Sequence, residues 1–401
     1  MVGTSWVALF AFITVWAHAE TRSGIRSIFL HAKQPDLRWI AWPFLLWGLM
    51  SGLFFLSSPV PLEKAYIYNY WQYVLILVLS VLVLATVTHA SPNSLLWGLV
   101  VAALLATWHG VHDTAIQGLA RAGELSGSPI RFGNWSMIAA MLLILFSALS
   151  TQMRARWRVC LLALAMLAMF ASMASGSRSS LLPLPLLIGL LLTFRKDRFH
   201  RWMLVLGLVG TILSGVLLLN SHTLQQKLRL TEMVYDIQQV KKENFDTSIG
   251  ARFGMWEAAW QMFLRHPFIG IGITEYQPEL KRMIVQGDIP AFHPWSHAHS
   301  DILHTMATRG SVGLLAYLGI ILGPLVFFIR CLRHAISIGD AHQRAHAAAG
   351  ILTIGSVFAF GLVSVVIYKS AFNGMTYALL VCVLAAQLVM ARRAEVAQPM
   401  R

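Results

Sequence analysis

Charged side chains are scarce in this chain. Asp, Glu, Lys and Arg together make up 12% of its 401 residues, against ~25% in a soluble domain. That shortage, with repeated apolar runs of about 17–25 residues, excludes a large soluble helical protein. Cysteine is also rare. Cys160, Cys331 and Cys382 lie in or at the end of apolar runs and none falls in the one long polar segment, so a disulfide framework is not expected. Acidic residues number 17 against 31 basic ones, a net charge of +14. In a soluble protein that balance would point to nucleic acid. No helix-turn-helix, zinc-finger or aromatic RNA-binding pattern accompanies it, so no nucleic-acid partner is expected. Much of the positive charge sits instead in short loops between apolar runs, as the cytoplasmic excess of Lys and Arg requires. Anionic lipid headgroups and an anionic substrate are further uses for it. His-Glu-x-x-His, Gly-x-Ser-x-Gly, a Walker loop and a dinucleotide fingerprint are all absent from the sequence, which argues against a nucleoside triphosphate as energy source. The N-terminus has no basic n-region and no small-x-small cleavage site before a soluble domain, and reads as a retained membrane segment.

What is present is membrane-length hydrophobicity. Apolar spans run over about 4–19, 37–57, 70–89, 93–109, 135–151, 158–175, 180–194, 202–219, 311–330, 349–367 and 373–390, eleven in all. A twelfth can be hidden among the first 35 residues or in a badly divided run. Fourteen Trp and twenty-one Phe suit wide contact with lipid and its interface. Basic clusters at 151–158, 194–201, 330–344 and the C-terminal end predict a cytoplasmic side for those loops. Loop 20–38 reads as cytoplasmic too, which with eleven crossings leaves the N-terminus outside; a twelfth crossing would remove the conflict. Segment 220–298, loops 58–69 and 110–133, the turn Ser175-Gly176-Ser177-Arg178-Ser179 and the junction near Tyr368-Lys369-Ser370 then share the outer face. The expected fold is an all-α, polytopic integral membrane protein of about 11–12 transmembrane helices. Its parts are residues 1–219 with eight or nine helices, a folded outer loop over 220–298 that caps the site, and residues 299–401 with three.

The long segment is not a linker. It carries eight basic and eight acidic residues where the rest of the chain is basic. Residues 222–243 have helical spacing. Residues 253–264 set Phe253, Trp256, Trp260 and Phe263 at three- and four-residue steps, giving a helix with one aromatic face. That face suits either the headgroup plane or the segment's own core. His266-Pro267-Phe268-Ile269-Gly270-Ile271-Gly272 stops the helix.

Three places carry candidate chemistry. Arg178 sits in a small, hydroxyl-rich turn with room and donors for a bulky anion, although a lone arginine at a helix end is often a snorkelling group. Arg252 opens the aromatic helix, where the dipole disfavours a cation unless an anion shares the site. Ser296-His297-Ala298-His299-Ser300-Asp301 with His304 is the densest cluster, and His293 lies upstream. The segment from about 299 reads as the start of a membrane helix with His297, Asp301 and His304 on one face and His299 elsewhere. A zinc site, a histidine acting as general base and plain interfacial histidines all fit that pattern.

The chain resembles the O-antigen ligase family (WaaL), within the superfamily that also holds Wzy-type O-antigen polymerases and protein O-oligosaccharyltransferases. The resemblance rests on Gly176-Ser177-Arg178, Arg252-x-x-x-Trp256, the 266–272 motif, and His297-Ala298-His299-Ser300 running to Gly310-Ser311-Val312-Gly313. It covers about 135–330. The family usually has Asn where this chain has Ser300 and His266, and twelve helices. The resemblance implies a glycosyltransferase of the Gram-negative inner membrane with its site facing the periplasm. It moves a glycan from undecaprenyl diphosphate to a sugar hydroxyl of lipid A–core oligosaccharide, without metal, cofactor or nucleotide. It implies His299 as base and Arg178 and Arg252 as the groups that stabilise the diphosphate, with inversion at the anomeric carbon. His297, Arg265, Lys281 and Arg282 follow as substrate-binding candidates, and Tyr276 and Lys369 as rim contacts. A polymerase or protein glycosyltransferase with the same donor is the alternative, and a lipid-linked substrate transporter a more distant one.

Overall fold

A computed structural model describes residues 37–56, 94–150, 152–194, 230–368 and 371–397. These residues are all helix, turn and loop. The helices are α1 (Arg38–Leu56), α2 (Ser94–Val111), α3 (Pro129–Leu149), α4 (Ala155–Ala174), α5 (Leu184–Thr193), α6 (Leu230–Lys241), α7 (Ser248–Arg265), α8 (Tyr276–Gln286), α9 (Asp301–Ser337), α10 (Ala341–Val363) and α11 (Ala371–Ala397). Six stretches among the described residues are long and apolar enough to cross a membrane: Leu95–Ile116, Pro129–Leu149, Ala155–Ala174, Asp301–Ser337, Ala341–Val363 and Asn373–Arg392. The chain is thus built as a polytopic membrane protein. The span expected at 180–194 is a shorter apolar piece, Arg178–Thr193. The spans expected at 4–19, 70–89 and 202–219 lie outside the described residues.

Helix α3 is the centre of the bundle, with 83% of its span buried against 22% for the span that contains α2. Its composition explains the position. Ala, Ser and Gly alternate with Met, Leu and Ile all round the helix, so every face is apolar and several allow close approach. The core it nucleates runs through Met137, Met141, Leu145, Phe327, Phe328, Leu352, Phe360, Tyr377 and Val381.

Helices α6–α8 form a second, smaller unit. Its core is Ala251, Met255, Ala258, Ala259 and Met262 of α7 against Tyr276, Leu280, Met283, Ile289 and Phe292. The aromatic face of α7 is not that core: Phe253 and Trp260 are exposed and Trp256 and Phe263 half-buried. Of the two placements the sequence leaves open, the outward one is observed. Helix α7 also starts earlier than its aromatic pattern implies. Thr247 is its N-cap, its hydroxyl accepting from the Gly250 amide at 3.1 Å. Arg252 therefore sits in the second turn, not at the N-terminus, and the dipole argument for an anion beside it falls away.

The two units meet at a break in α9. At about 1.5 Å per residue, 37 residues reach about 55 Å, well beyond a ~30 Å hydrocarbon core. Gly310, at φ 62° and ψ −159°, divides the helix there. The conformation is essentially confined to glycine. It strips the helix of hydrogen bonds around the break, and the 267–272 loop replaces them. Ile271 and Gly272 donate to the carbonyls of Ala307 (2.9 Å) and Thr308 (3.2 Å). Ser311 and Val312 donate to those of Pro267 (2.8 Å) and Phe268 (3.2 Å). Phe268 and Ile269 are 73% and 66% exposed, beside the exposed Val312 and Leu315 of α9, so an apolar strip passes without interruption from the spanning helix onto the loop.

The interlock leaves no room for side chains. A Cβ on Gly310 would lie 2.3 Å from the Phe268 carbonyl group, and one on Gly270 2.3 Å from the Arg309 amide nitrogen. Gly310→Ala is therefore expected to cost roughly 1–3 kcal/mol from backbone conformation alone, and more from the clash. It should lower the melting temperature of detergent-purified protein by several degrees. Gly319→Ala, on the same helix with only Pro43 at 3.7 Å, should not. Equal thermal stability of the two variants would contradict this account of the break.

Candidate functional site

The turn that carries Arg178 is built by its serines. The Ser175 hydroxyl donates to the Ser172 carbonyl (2.6 Å) and accepts from the Ser177 amide (3.2 Å). The Ser180 hydroxyl donates to the Ser177 carbonyl at 2.6 Å, and the Ser177 and Ser179 hydroxyls lie 2.9 Å apart. These hydroxyls thus fold the turn, where the sequence offers them as donors to an anion. What the turn presents is Arg178, half-buried at the start of a single 3-10 turn, Arg178–Leu181. Gly176 bends the chain at φ 63°. Gly133 of α3 lets the turn nest, since a Cβ there would lie 2.2 Å from the Ser175 Oγ. A second cation, which the sequence does not single out, comes from loop 110–133: Arg121 Nε donates to the Ser175 carbonyl at 2.7 Å. The adjacent Ala122 amide donates to the Ala174 carbonyl at 3.0 Å.

The histidine segment differs from its sequence-based picture. Helix α9 begins at Asp301, with the Ser300 hydroxyl accepting from the Leu303 amide at 3.4 Å. His297 and His299 therefore precede the helix and do not share a face with Asp301 and His304. They meet each other instead, with ring centroids 4.2 Å apart. The His299 amide donates to His297 Nδ1 at 3.3 Å, so that ring nitrogen serves as an acceptor. His299 is half-buried and held at φ 49°, a left-handed conformation that an ordinary L-residue adopts at a cost. Ser300 stands where the resembling family has Asn, and the role seen here, an N-cap, is one both residues fill well.

Asp301 is fully buried and turned away from the histidines. Its carboxylate accepts from the Val366 amide at 3.1 Å and the Ile367 amide at 3.3 Å. From there a chain of hydrogen bonds crosses the bundle. Asn373 Nδ2 donates to the Val366 carbonyl at 3.1 Å. Trp135 Nε1 donates to Asn373 Oδ1 at 2.9 Å. The neighbouring Asn134 Oδ1 accepts from Ser179 Oγ at 3.0 Å. The residue after Arg178 and the second residue after His299 are thus joined through one largely buried polar network, and both turns lie at the same end of the helical bundle. Lys369 lies outside the described residues.

Arg309 belongs to this end too, although in the sequence it is inconspicuous, just ahead of an apolar run. It is buried, its guanidinium lies 4.0 Å from the centroid of the Tyr368 ring, and its Nη1 donates to Thr308 Oγ1 at 2.9 Å. The available signal was a cation on a membrane helix, which is costly and so a candidate functional group wherever it occurs.

The remaining candidates lie on the smaller unit. Tyr276 is not at a rim. It is buried, its hydroxyl donates to the Met255 carbonyl at 3.1 Å, and its ring meets His304 edge-on at 5.1 Å. Burial pushes its phenol well above the ordinary range. Arg265 pairs with Glu279 (3.3 Å) and Asp288 (3.2 Å). Arg282 grips both oxygens of Glu279, with Nε at 2.7 Å from one of them. The hydrogen bond from Arg282 holds the Glu279 carboxyl below its usual range. Its contribution to stability is present above that range and lost as pH falls through the lowered value, and exposure keeps it small. Lys281 is exposed on the same helix. Among the described residues no group of three or more His, Cys, Asp or Glu side chains is placed to hold a metal ion.

Comparison with known proteins bears on this same region. Residues 162–318 match the family described as O-antigen ligase. That stretch includes Arg178, Arg252, the 266–272 loop, both histidines and the Gly310 break. An uncharacterized protein of Haemophilus influenzae is 31% identical over 168 residues, which make up 41% of this chain and 42% of that protein. The matched region therefore spans under half the length of either chain, and the similarity to the O-antigen ligase superfamily is centred on the candidate site.

Proposed function

We propose that this protein is an O-antigen ligase. It transfers a glycan from undecaprenyl diphosphate to a sugar hydroxyl of lipid A–core oligosaccharide at the periplasmic face of a Gram-negative inner membrane. The observation that carries the reading is the polar network joining the Arg178 turn to the His297–Asp301 segment at one end of the bundle, within the stretch similar to O-antigen ligases. Helices α6–α8, locked onto the Gly310 break, form the periplasmic cap over that end, with the domain limits near 219 and 298.

In this mechanism His299 takes the proton from the acceptor hydroxyl as its oxygen attacks the anomeric carbon. The bond from that carbon to the diphosphate breaks, and undecaprenyl diphosphate leaves with the electron pair. Configuration at the anomeric carbon inverts. Arg178 and Arg252, permanently charged and able to grip phosphate in a fork, stabilise the charge that grows on the leaving group. His297, hydrogen-bonded to the His299 backbone, holds the base in its left-handed turn and lies near enough to orient the acceptor. Arg265, Lys281 and Arg282 supply a peripheral basic surface for core phosphates. No metal or cofactor is used.

The test is transfer of a labelled lipid-linked glycan by the purified protein to three acceptors: lipid A–core, a second lipid-linked repeat unit, and a pilin-type protein. Transfer to lipid A–core supports the ligase. Transfer only to a repeat unit or to protein identifies a polymerase or a protein glycosyltransferase, and no transfer to any acceptor overturns the proposal. His299→Ala is expected to lose about 10²–10⁴-fold in turnover at normal protein level; full retention removes His299 as base. Arg178→Ala and Arg252→Ala should each lose roughly 10²–10³-fold. Lys at either position should recover only part, because the charge returns without the fork.

A further inference from the structure

An aromatic cleft on the smaller unit has no part in the chemistry above. It measures about 440 Å³ and is lined by Phe245, Phe253, Gly254, Trp256, Glu257 and Pro290. The Phe253 and Trp256 rings meet edge to face, with centroids 5.6 Å apart at 89°, so they form two walls at a right angle. Gly254 lets the buried Phe292 ring close on α7 beneath these aromatics, since a Cβ there would lie 2.2 Å from that ring. The Trp256 indole nitrogen is buried without a hydrogen-bond partner among the described residues, whereas a buried indole N–H normally has one. Glu257 adds an exposed carboxylate, steadied by Gln261 Nε2 at 2.9 Å.

Flat apolar ring faces and one exposed carboxylate are the recognition chemistry of a pyranose. Its C–H face stacks on a ring while its hydroxyls donate to the carboxylate. A lipid tail would not call for Glu257. A phosphate would be repelled by it.

The cleft also leads to the histidines. Pro290 begins an extended stretch that continues as a ladder of rings: His293 on Trp295 at 5.2 Å, Trp295 on His299 at 6.0 Å, and His299 on His297 at 4.2 Å. Trp295 is 47% exposed, which leaves surface open beside His299. We propose that the Phe253–Trp256–Glu257 cleft is a glycan subsite. It holds a sugar remote from the reacting one, and Trp295 supports the chain between the cleft and His299. The place of the reacting end rests on the function proposed above; the pyranose specificity of the cleft does not.

The occupant is either the glycan of the donor or the core oligosaccharide of the acceptor, and the test separates them. With the full-length protein in lipid nanodiscs, KM and kcat are measured for each substrate in the wild type, Trp256→Ala, Trp256→Phe and Glu257→Gln. Direct binding of delipidated core oligosaccharide and of glycan released from its lipid is followed in parallel by saturation-transfer NMR. Trp256→Ala and Glu257→Gln are expected to raise KM for one substrate about three- to tenfold with kcat nearly unchanged, and to weaken saturation transfer to the same sugar. Trp256→Phe, which keeps an aromatic wall of smaller face, should fall between. Unchanged KM for both substrates, or a fall in kcat alone, overturns the subsite. If the wild type catalyses no transfer, the NMR arm still decides. A sugar signal seen with the wild type and abolished by Trp256→Ala upholds the subsite without the ligase, and no sugar signal with the wild type sinks it.

Discussion

Everything at the polar end of this protein depends on a helix that breaks at Gly310 and a loop that repairs the break. A membrane helix cannot leave backbone groups unpaired at low dielectric without a cost of several kcal/mol each. The break at φ 62° exposes such groups on both sides, and loop 267–272 answers them with hydrogen bonds in both directions. A joint made of backbone is specified by geometry more than by side-chain identity. Its main compositional demand is the absence of Cβ atoms at Gly270 and Gly310. It holds α7, and with it Arg252, in a fixed relation to the His297–Asp301 segment at the start of α9.

A second constraint is a buried carboxylate. Asp301 directs its oxygens to the Val366 and Ile367 amides and so ties the start of α9 to the junction between the last two helices. Gly361 makes the space, since a Cβ there would lie 2.9 Å from the Asp301 Oδ2. Removing such an acceptor strands two buried donors, which costs more than forming the bonds gained. The network that continues through Asn373, Trp135 and Asn134 to Ser179 follows the same rule: each side chain is wholly or partly buried, and each finds a hydrogen-bond partner. Rigid placement of two distant turns is the outcome.

Much of this is legible in the sequence, and the reasons differ by feature. Spans at 93–109, 135–151, 158–175, 349–367 and 373–390 reappear as helices because a bilayer imposes length and composition directly. The apolar run read from 311 starts at the break itself, just after Asp301, His304, Thr305, Thr308 and Arg309. Loop charge sets 110–133, the Arg178 turn and the 366–368 junction on one face, and Arg121, Asn134 and Asn373 supply the hydrogen bonds there. The failures are at boundaries. Periodicity sees where an aromatic face begins, not where a helix does, so it passes over Thr247 as N-cap and puts Arg252 one turn too early. It also carries a helix back through His299, although Ser300 followed by Asp301 is an ordinary helix start, a capping hydroxyl with an acidic residue in the first turn. The roles of Asp301 and Arg309 are beyond a linear reading, because their partners lie 65 and 59 residues away at Val366 and Tyr368.

The departures from the family pattern make physical sense once those boundaries are right. Ser300 accepts the amide of Leu303, a task Asn can perform in the same place. His266 ends α7 with φ −136° and ψ 67° and lends its carbonyl to the Gly270 amide at 3.0 Å. That bond uses the backbone, so the side chain there is free to vary. Where a side chain only caps or terminates, chemically different residues exchange without moving the structure. His299 is of another kind. Its strained turn is enforced on one side by the His297 ring and on the other by the capped helix, and a conformation that costs energy persists only where its surroundings over-determine it. The strain falls on the histidine that lies half-buried between the buried His297 and the exposed Trp295. His299 is thus the residue of this segment whose backbone is held by its neighbours on both sides while its side chain stays half-buried beside Trp295.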